Sequence, residues 1–208
     1  MTPRRAPGGG RASGSARLRP GRAGVVVRRF LLLLGLATLT FAALYVPAVA
    51  AQDRLARAED FLWDGDAASA RATLAAWFER ESATATGNER GRALLLRARL
   101  ASDPVQAERD YLEVIHGYPA SPAAPDALLR MGQWALHRGE AERAASYLDR
   151  LAADYPSWRR HGEALLWLAR GLRAAGRTRQ ACAAAAGAAL AEDPYIAALG
   201  QAEAELCR

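Results

Sequence analysis

The stretch YPASPAAPDALLRMGQWALHRGEAERAASYLDRLAADYP, residues 118–156, decides how this chain reads. It opens on a Pro-rich linker, Tyr118 to Pro125, and then changes character. Leu128, Met131, Gly132 and Ala135 recur at steps of three and four, which places them on one face of a helix. Pro125 suits the first turn of that helix, and the glycine in Arg138-Gly139-Glu140 suits a left-handed C-cap. Helical spacing then resumes through Ala144 and Leu148 to Ala153, before Tyr155-Pro156 opens a second linker. The stretch therefore predicts a helical hairpin, Pro125 to His137 and back to Ala153.

Working outward, the same hairpin recurs every 37 residues. Gly65, Ser102, Gly139 and Gly176 share that spacing, as do Ala70, Ala107, Ala144 and Ala181. Leu74, Tyr111, Leu148 and Ala185 follow four residues later, then Trp77, Val114, Leu151 and Ala188. No strand-like alternation interrupts them, and 50 alanines supply the strongest helix former. The spacing predicts helices Leu55–Trp63 and Ala67–Arg80, Gly91–Leu100 and Val105–His116, Pro125–His137 with its return to Ala153, and Gly162–Ala174 with its return to Ala191. A last helix, Pro194–Leu206, would cover the open face of the fourth copy. The boundaries are residues 51–87, 88–124, 125–161 and 162–193, with a cap over 194–208.

These copies resemble the tetratricopeptide repeat (TPR). The third gives Leu128-x-x-Met131-Gly132-x-x-Ala135, then Ala144-x-x-x-Leu148 and Pro156; the second and fourth follow it, and the first is the weakest. The resemblance implies an all-α right-handed superhelix of about four helix-turn-helix repeats plus a capping helix. Tyr118 to Leu128 is similar to the long-spaced repeats of bacterial envelope proteins, namely the Tol–Pal-associated periplasmic coordinators (YbgF/CpoB type) and the outer-membrane assembly lipoprotein BamD. The chain lacks the lipidated cysteine of the second and the N-terminal coiled coil of the first.

The 208 residues carry 28 basic and 22 acidic side chains, a formal charge of +6. That average conceals two regions. Eight arginines lie in the first 29 positions and no acid precedes Asp53, so the remainder holds 20 arginines against 22 acids and is slightly negative. Residues 1–29 are Arg-, Gly- and Ser-rich, 30–46 are apolar without a charge, and Ala48-Val49-Ala50 supplies an A-x-A site before Ala51. This order predicts a signal peptide over 1–50, cleaved after Ala50. Arg28-Arg29 loosely resembles a twin-arginine signal, but a repeat protein without a cofactor fits Sec export. A true start near Val27 would leave an ordinary signal peptide. The rival arrangement keeps 30–46 as an inner-membrane anchor with the repeats outside the cytoplasm. The acidic remainder argues against a nucleic-acid module, and no Ser, Cys or His constellation suggests an enzyme, a metal site or a cofactor.

The resemblance implies a binding groove lined by the first helix of each pair: Arg92, Leu96 and Arg99, then Leu129, Gln133, Leu136 and His137, then Leu166, Arg170 and Arg173. Arg99, Arg170 and Arg173 could clamp a carboxylate, since a guanidinium fork matches its geometry. The family's Lys and Asn clamp pattern is absent. Of Trp63, Trp77, Trp134, Trp158 and Trp167, the linker residue Trp158 is expected to be the exposed one, and the three histidines are expected at the surface. Cys182 lies 11 residues before Asp193 and Cys207 13 after Pro194, so an antiparallel pair brings them level. An exported protein would oxidise them to a disulfide, with about 3 kcal/mol of loop-closure stabilisation. The expected function is an exported scaffold whose partners are envelope proteins or peptide segments, with an anchored assembly factor as the alternative.

Overall fold

The structure, a computed structural model, describes residues 54–208. The expected signal segment 1–50 and its cleavage positions Ala48, Ala50 and Ala51 lie outside the described residues. Within them the chain forms nine helices packed in sequential antiparallel pairs: α1 (54–63), α2 (Ala67–Arg80), α3 (Gly87–Leu100), α4 (Pro104–Gly117), α5 (Ala124–His137), α6 (Ala141–Asp154), α7 (His161–Ala174), α8 (Thr178–Ala188) and α9 (Pro194–Glu205). The fold is the all-α, TPR-like helical repeat expected from the sequence.

Local chemistry sets the helix ends. Gly65, Gly139 and Gly176, the glycines spaced by 37, have φ of 80°, 74° and 72°. Each is followed by an amide reaching back five residues, as in Glu140 N to Ala135 O at 2.8 Å. This closes three of the four hairpins with one motif that a Cβ would strain. The second hairpin has Ser102 at that place and turns differently. Ala101 is extended, Asp103 accepts from the Val105 amide, and Pro104 opens α4. Asp193-Pro194 opens α9 in the same way. Two helices depart from the expected limits. Helix α3 starts at Gly87 rather than Gly91, because Thr86 and Glu89 form a capping box. Helix α8 stops at Ala188 rather than Ala191, where amides 190 and 191 turn to carbonyls three residues back.

The 37-residue ladder becomes the core. Trp77, Val114, Leu151 and Ala188 are all fully buried, as are Ala70, Ala144 and Ala181. At Gly132 the two helices of the third hairpin approach so closely that an added Cβ would lie 2.5 Å from Leu148 Cγ. Phe78 packs against both the apolar cluster of the first hairpin and the main cluster beyond it. Polar groups also bond one repeat apart: Tyr155 donates to the Pro119 carbonyl at 2.7 Å, and Arg160 Nη1 lies 2.8 Å from Asp126 Oδ1. Among the described residues Asp110 is the buried charge in an otherwise largely apolar interior. Its carboxylate accepts from Arg97 Nε and Nη2 and from Gln106 Nε2, each at 2.8 Å, and Arg97 covers the Phe78 ring at 4.4 Å. One guanidinium thus ties α2, α3 and α4 together.

Candidate functional site

Helix α5 places Arg130, Gln133, Trp134 and His137 at steps of three and four, so one face carries all four. That face forms one side of an open cleft of about 730 Å³. Its other lining residues are Ala98 and Arg99 of α3, the turn residues Ala101 and Ser102, Pro104, Ala107 and Tyr111 of α4, and Trp167 of α7. The irregular second turn, with its Asp-Pro start to α4, lies on this rim.

The cleft is cationic and aromatic, and none of its lining residues is acidic. Among the described residues Arg99 makes no hydrogen bond or ion pair, and Arg130 bonds only Gln133, Nη1 to Oε1 at 3.3 Å. Other arginines on the first helix of a pair are committed, Arg92 to Glu59 and Arg97 to Asp110, as is Arg160 just before α7, to Asp126 and Glu163. Both free cations act on neighbouring groups. Burial pushes the Tyr111 hydroxyl above its ordinary value, and Arg130 and Arg99 pull it back. Burial likewise raises the Asp126 carboxyl, opposed by Arg160 first and then by Arg99, Arg159 and Arg130. Two guanidiniums with no ion-paired carboxylate and none in the cleft lining, set beside three aromatic rings, can receive an anionic group and an adjacent apolar side chain.

The structure distributes the expected groove residues unevenly. Arg99, Gln133 and His137 meet in the cleft. Arg92, paired with Glu59, lines a separate depression with Glu89 and Asp126. Leu96, Leu129 and Leu166 are 1%, 1% and 2% exposed, so the expectation that they line an open groove is corrected: repeat stacking consumes that stripe. Leu136 is half-buried against the main core. Arg170 and Arg173 both bond Glu203 of α9. The sequence reading missed Arg130, Tyr111, Trp134 and Trp167 as lining residues. The two tryptophans pack on the core as expected and line the cleft as well. The i, i+3, i+4, i+7 pattern from Arg130 to His137 was the available clue.

Trp158 is a correction too. The 118–121 turn repeats at 155–158, with amide 158 on carbonyl 155 as amide 121 is on carbonyl 118. Trp158 thereby takes the place of the buried Ser121, and it packs on the main core beneath the Arg160 guanidinium. Trp63 is the exposed tryptophan, at 84%. His116 and His137 are at the surface, whereas His161 is half-buried. Cys182 and Cys207 form the expected disulfide, joining α8 to the residues just past α9. Among the described residues no three His, Cys, Asp or Glu side chains are grouped to hold a metal ion, and no helix is long and apolar enough to cross a membrane.

Stacked antiparallel hairpins with a lined cleft define a helical-repeat protein of the interaction-scaffold class. Residues 126–157 match the family model described as Tetratricopeptide repeat, so the chain carries a tetratricopeptide repeat at its third hairpin, within a TPR-like helical arrangement. The match covers the third hairpin, from the second residue of the helix expected at Pro125, and does not distinguish either envelope family. No curated protein and no solved structure matches the chain.

Proposed function

We propose that this protein is an exported scaffold that holds other proteins of the bacterial cell envelope through the cleft between α3, α4, α5 and α7, with no chemistry of its own. The cleft carries the reading. Arg99 and Arg130 offer two cations with no carboxylate in the lining, beside Tyr111, Trp134 and Trp167. A partner segment with an acidic side chain or a free C-terminus supplies the missing anion, and an apolar neighbour lies on the tryptophans. Export is supported by the basic, apolar and A-x-A order of residues 1–50 and by a disulfide suited to an oxidising compartment. The linker from Tyr118 to Leu128 supports work of the kind done by the Tol–Pal-associated coordinators. The uncharged run over 30–46 supports a second arrangement, an anchored assembly factor with a BamD-like role.

A photocrosslinking side chain at Gln133 is expected to trap a partner in intact envelopes, whereas the same group at Glu79, exposed on α2, traps none. Arg99→Glu with Arg130→Glu should abolish the adduct while helix content stays unchanged. Equal adducts from both positions, or an adduct indifferent to the double variant, would sink the cleft reading. N-terminal sequencing of envelope protein separates export, with a new terminus at Ala51, from anchoring, with 30–46 retained.

A further inference from the structure

Helix α9 stands where the first helix of a fifth repeat would stand, against α7 and α8, but its apolar burial there is only partial: Ile196, Ala197, Leu199 and Ala204 are half-buried. Gly200 is its one buried residue, while Tyr195 and Leu206 are 71% and 66% exposed. Polar and covalent attachments add to this partial packing. Glu203 Oε1 lies 2.9 Å from Arg170 Nε, Glu203 Oε2 lies 3.4 Å from Arg173 Nε, and the Glu203 carbonyl accepts from Arg173 Nη2 at 2.8 Å. Cys207, exposed next to the C-terminus, is bonded to Cys182 on α8. Arg170 also lies over the Trp167 ring, 5.0 Å from its centroid, and Trp167 lines the cleft. Trp167 is thus shared between Arg170 and the cleft.

We infer that α9 is a displaceable occupant of the surface formed by Arg170 and Arg173 and that the Cys182–Cys207 bond is its latch. Glu203 fills the two guanidiniums that an acidic partner segment would otherwise take, and reduction frees them. This rests on the reading that the inner arginines receive a partner's carboxylates. The reductant is a dithiol protein or small molecule. Its thiolate attacks the exposed Cys207 sulfur, forming a mixed disulfide and expelling the Cys182 thiolate, which takes a proton. The second thiolate then attacks the dithiol's own sulfur in that mixed disulfide and releases Cys207. Two electrons pass to the cysteines, and the dithiol becomes a disulfide. The Arg173 guanidinium, 3.8 Å from Cys207 Sγ, stabilises the Cys207 thiolate released in the second step. With the covalent link gone, α9 is held by Gly200, by the half-buried Ile196, Ala197, Leu199 and Ala204, and by one carboxylate, and a segment with several carboxylates competes with it for the arginines.

A fluorescein-labelled Glu-rich dodecapeptide, titrated by anisotropy into the purified protein, tests this. Affinity should rise about tenfold or more on reduction, since opening removes the closed fraction from the apparent constant. Cys207→Ser should bind as the reduced protein does without reductant. Glu203→Gln, which leaves both cysteines in place, should bind more tightly than wild type while oxidised. Arg170→Ala with Arg173→Ala should lose the gain on reduction. Amides of 194–205 should lose hydrogen-exchange protection when reduced, while those of α5 and α6 keep it. Equal affinity in both redox states, or unchanged protection of α9, overturns the latch. Arg99→Ala with Arg130→Ala tests the cleft separately: it should weaken binding in both redox states, and no effect there refutes the cleft reading rather than the latch.

Discussion

The two ends of the Arg97–Asp110 pair are not equivalent, and removing one should not cost what removing the other does. Asp110 is fully buried, whereas the Arg97 side chain is 39% exposed. Arg97→Met keeps the stem on Phe78 but leaves a buried carboxylate with Gln106 alone. Breaking a buried pair in this sense costs about 3–5 kcal/mol, because the stranded charge cannot reach water. Asp110→Asn is nearly isosteric and strands only the arginine, which can swing into solvent. Its cost is then that of weakened charge-assisted bonds, about 1–2 kcal/mol. The double variant should cost less than the sum of the two, with a coupling of about 2 kcal/mol. Urea unfolding followed by circular dichroism, compared at a common m-value, measures all three. If Asp110→Asn proved the costlier change, or the two effects simply added, the account of this triad as a burial-driven tie would be wrong.

Three further outcomes follow from the same geometry. Gly132→Ala should destabilise by about 1–3 kcal/mol, because its Cβ would meet Leu148, which has no free space to retreat into; thermal unfolding against a Gly117→Ala control, which faces open space, reads the difference. Cys182→Ala with Cys207→Ala removes a closure spanning 25 residues, and about 3 kcal/mol of stabilisation by loop-closure entropy, with the loss concentrated in α9 by hydrogen exchange. Two carboxyls should titrate on opposite sides of the ordinary value near 3.8 in a carbon-detected NMR titration. Asp66 is lowered by the Ser69 hydrogen bonds, so its contribution to stability is present above pH 3.8 and is lost as pH falls through its lower folded value. Asp126 is raised by burial, so its folded state holds the proton longer, and its contribution is present below 3.8 and lost as pH rises past that point.

Particular positions show why parts of this protein were legible in advance. Gly65, Gly139 and Gly176 announce their turns because few other residues accept a positive φ, and the helix ends between them follow from chain-local rules. Cys182 and Cys207 could be paired by counting because two antiparallel helices of known length leave one register. Trp158 could not be placed the same way. Its linker looks exposed, and it turns inward only because the bonds of the 118–121 turn recur. The same applies to Leu96, Leu129 and Leu166, which lie on the expected face of their helices but are covered by the next repeat.

The sequence by itself determined the repeat, its period of 37, the hairpin turns and the residues of the ladder, since each rests on helical spacing or on backbone preferences within a few residues. Tertiary structure alone decided which cations remain available. Arg92, Arg99, Arg130, Arg170 and Arg173 look alike in sequence, yet Glu59 and Glu203, each about one repeat away, neutralise three of them and leave Arg99 and Arg130 facing the cleft. A charge's partner across a repeat interface depends on how the hairpins stack, and no local rule in the chain specifies that.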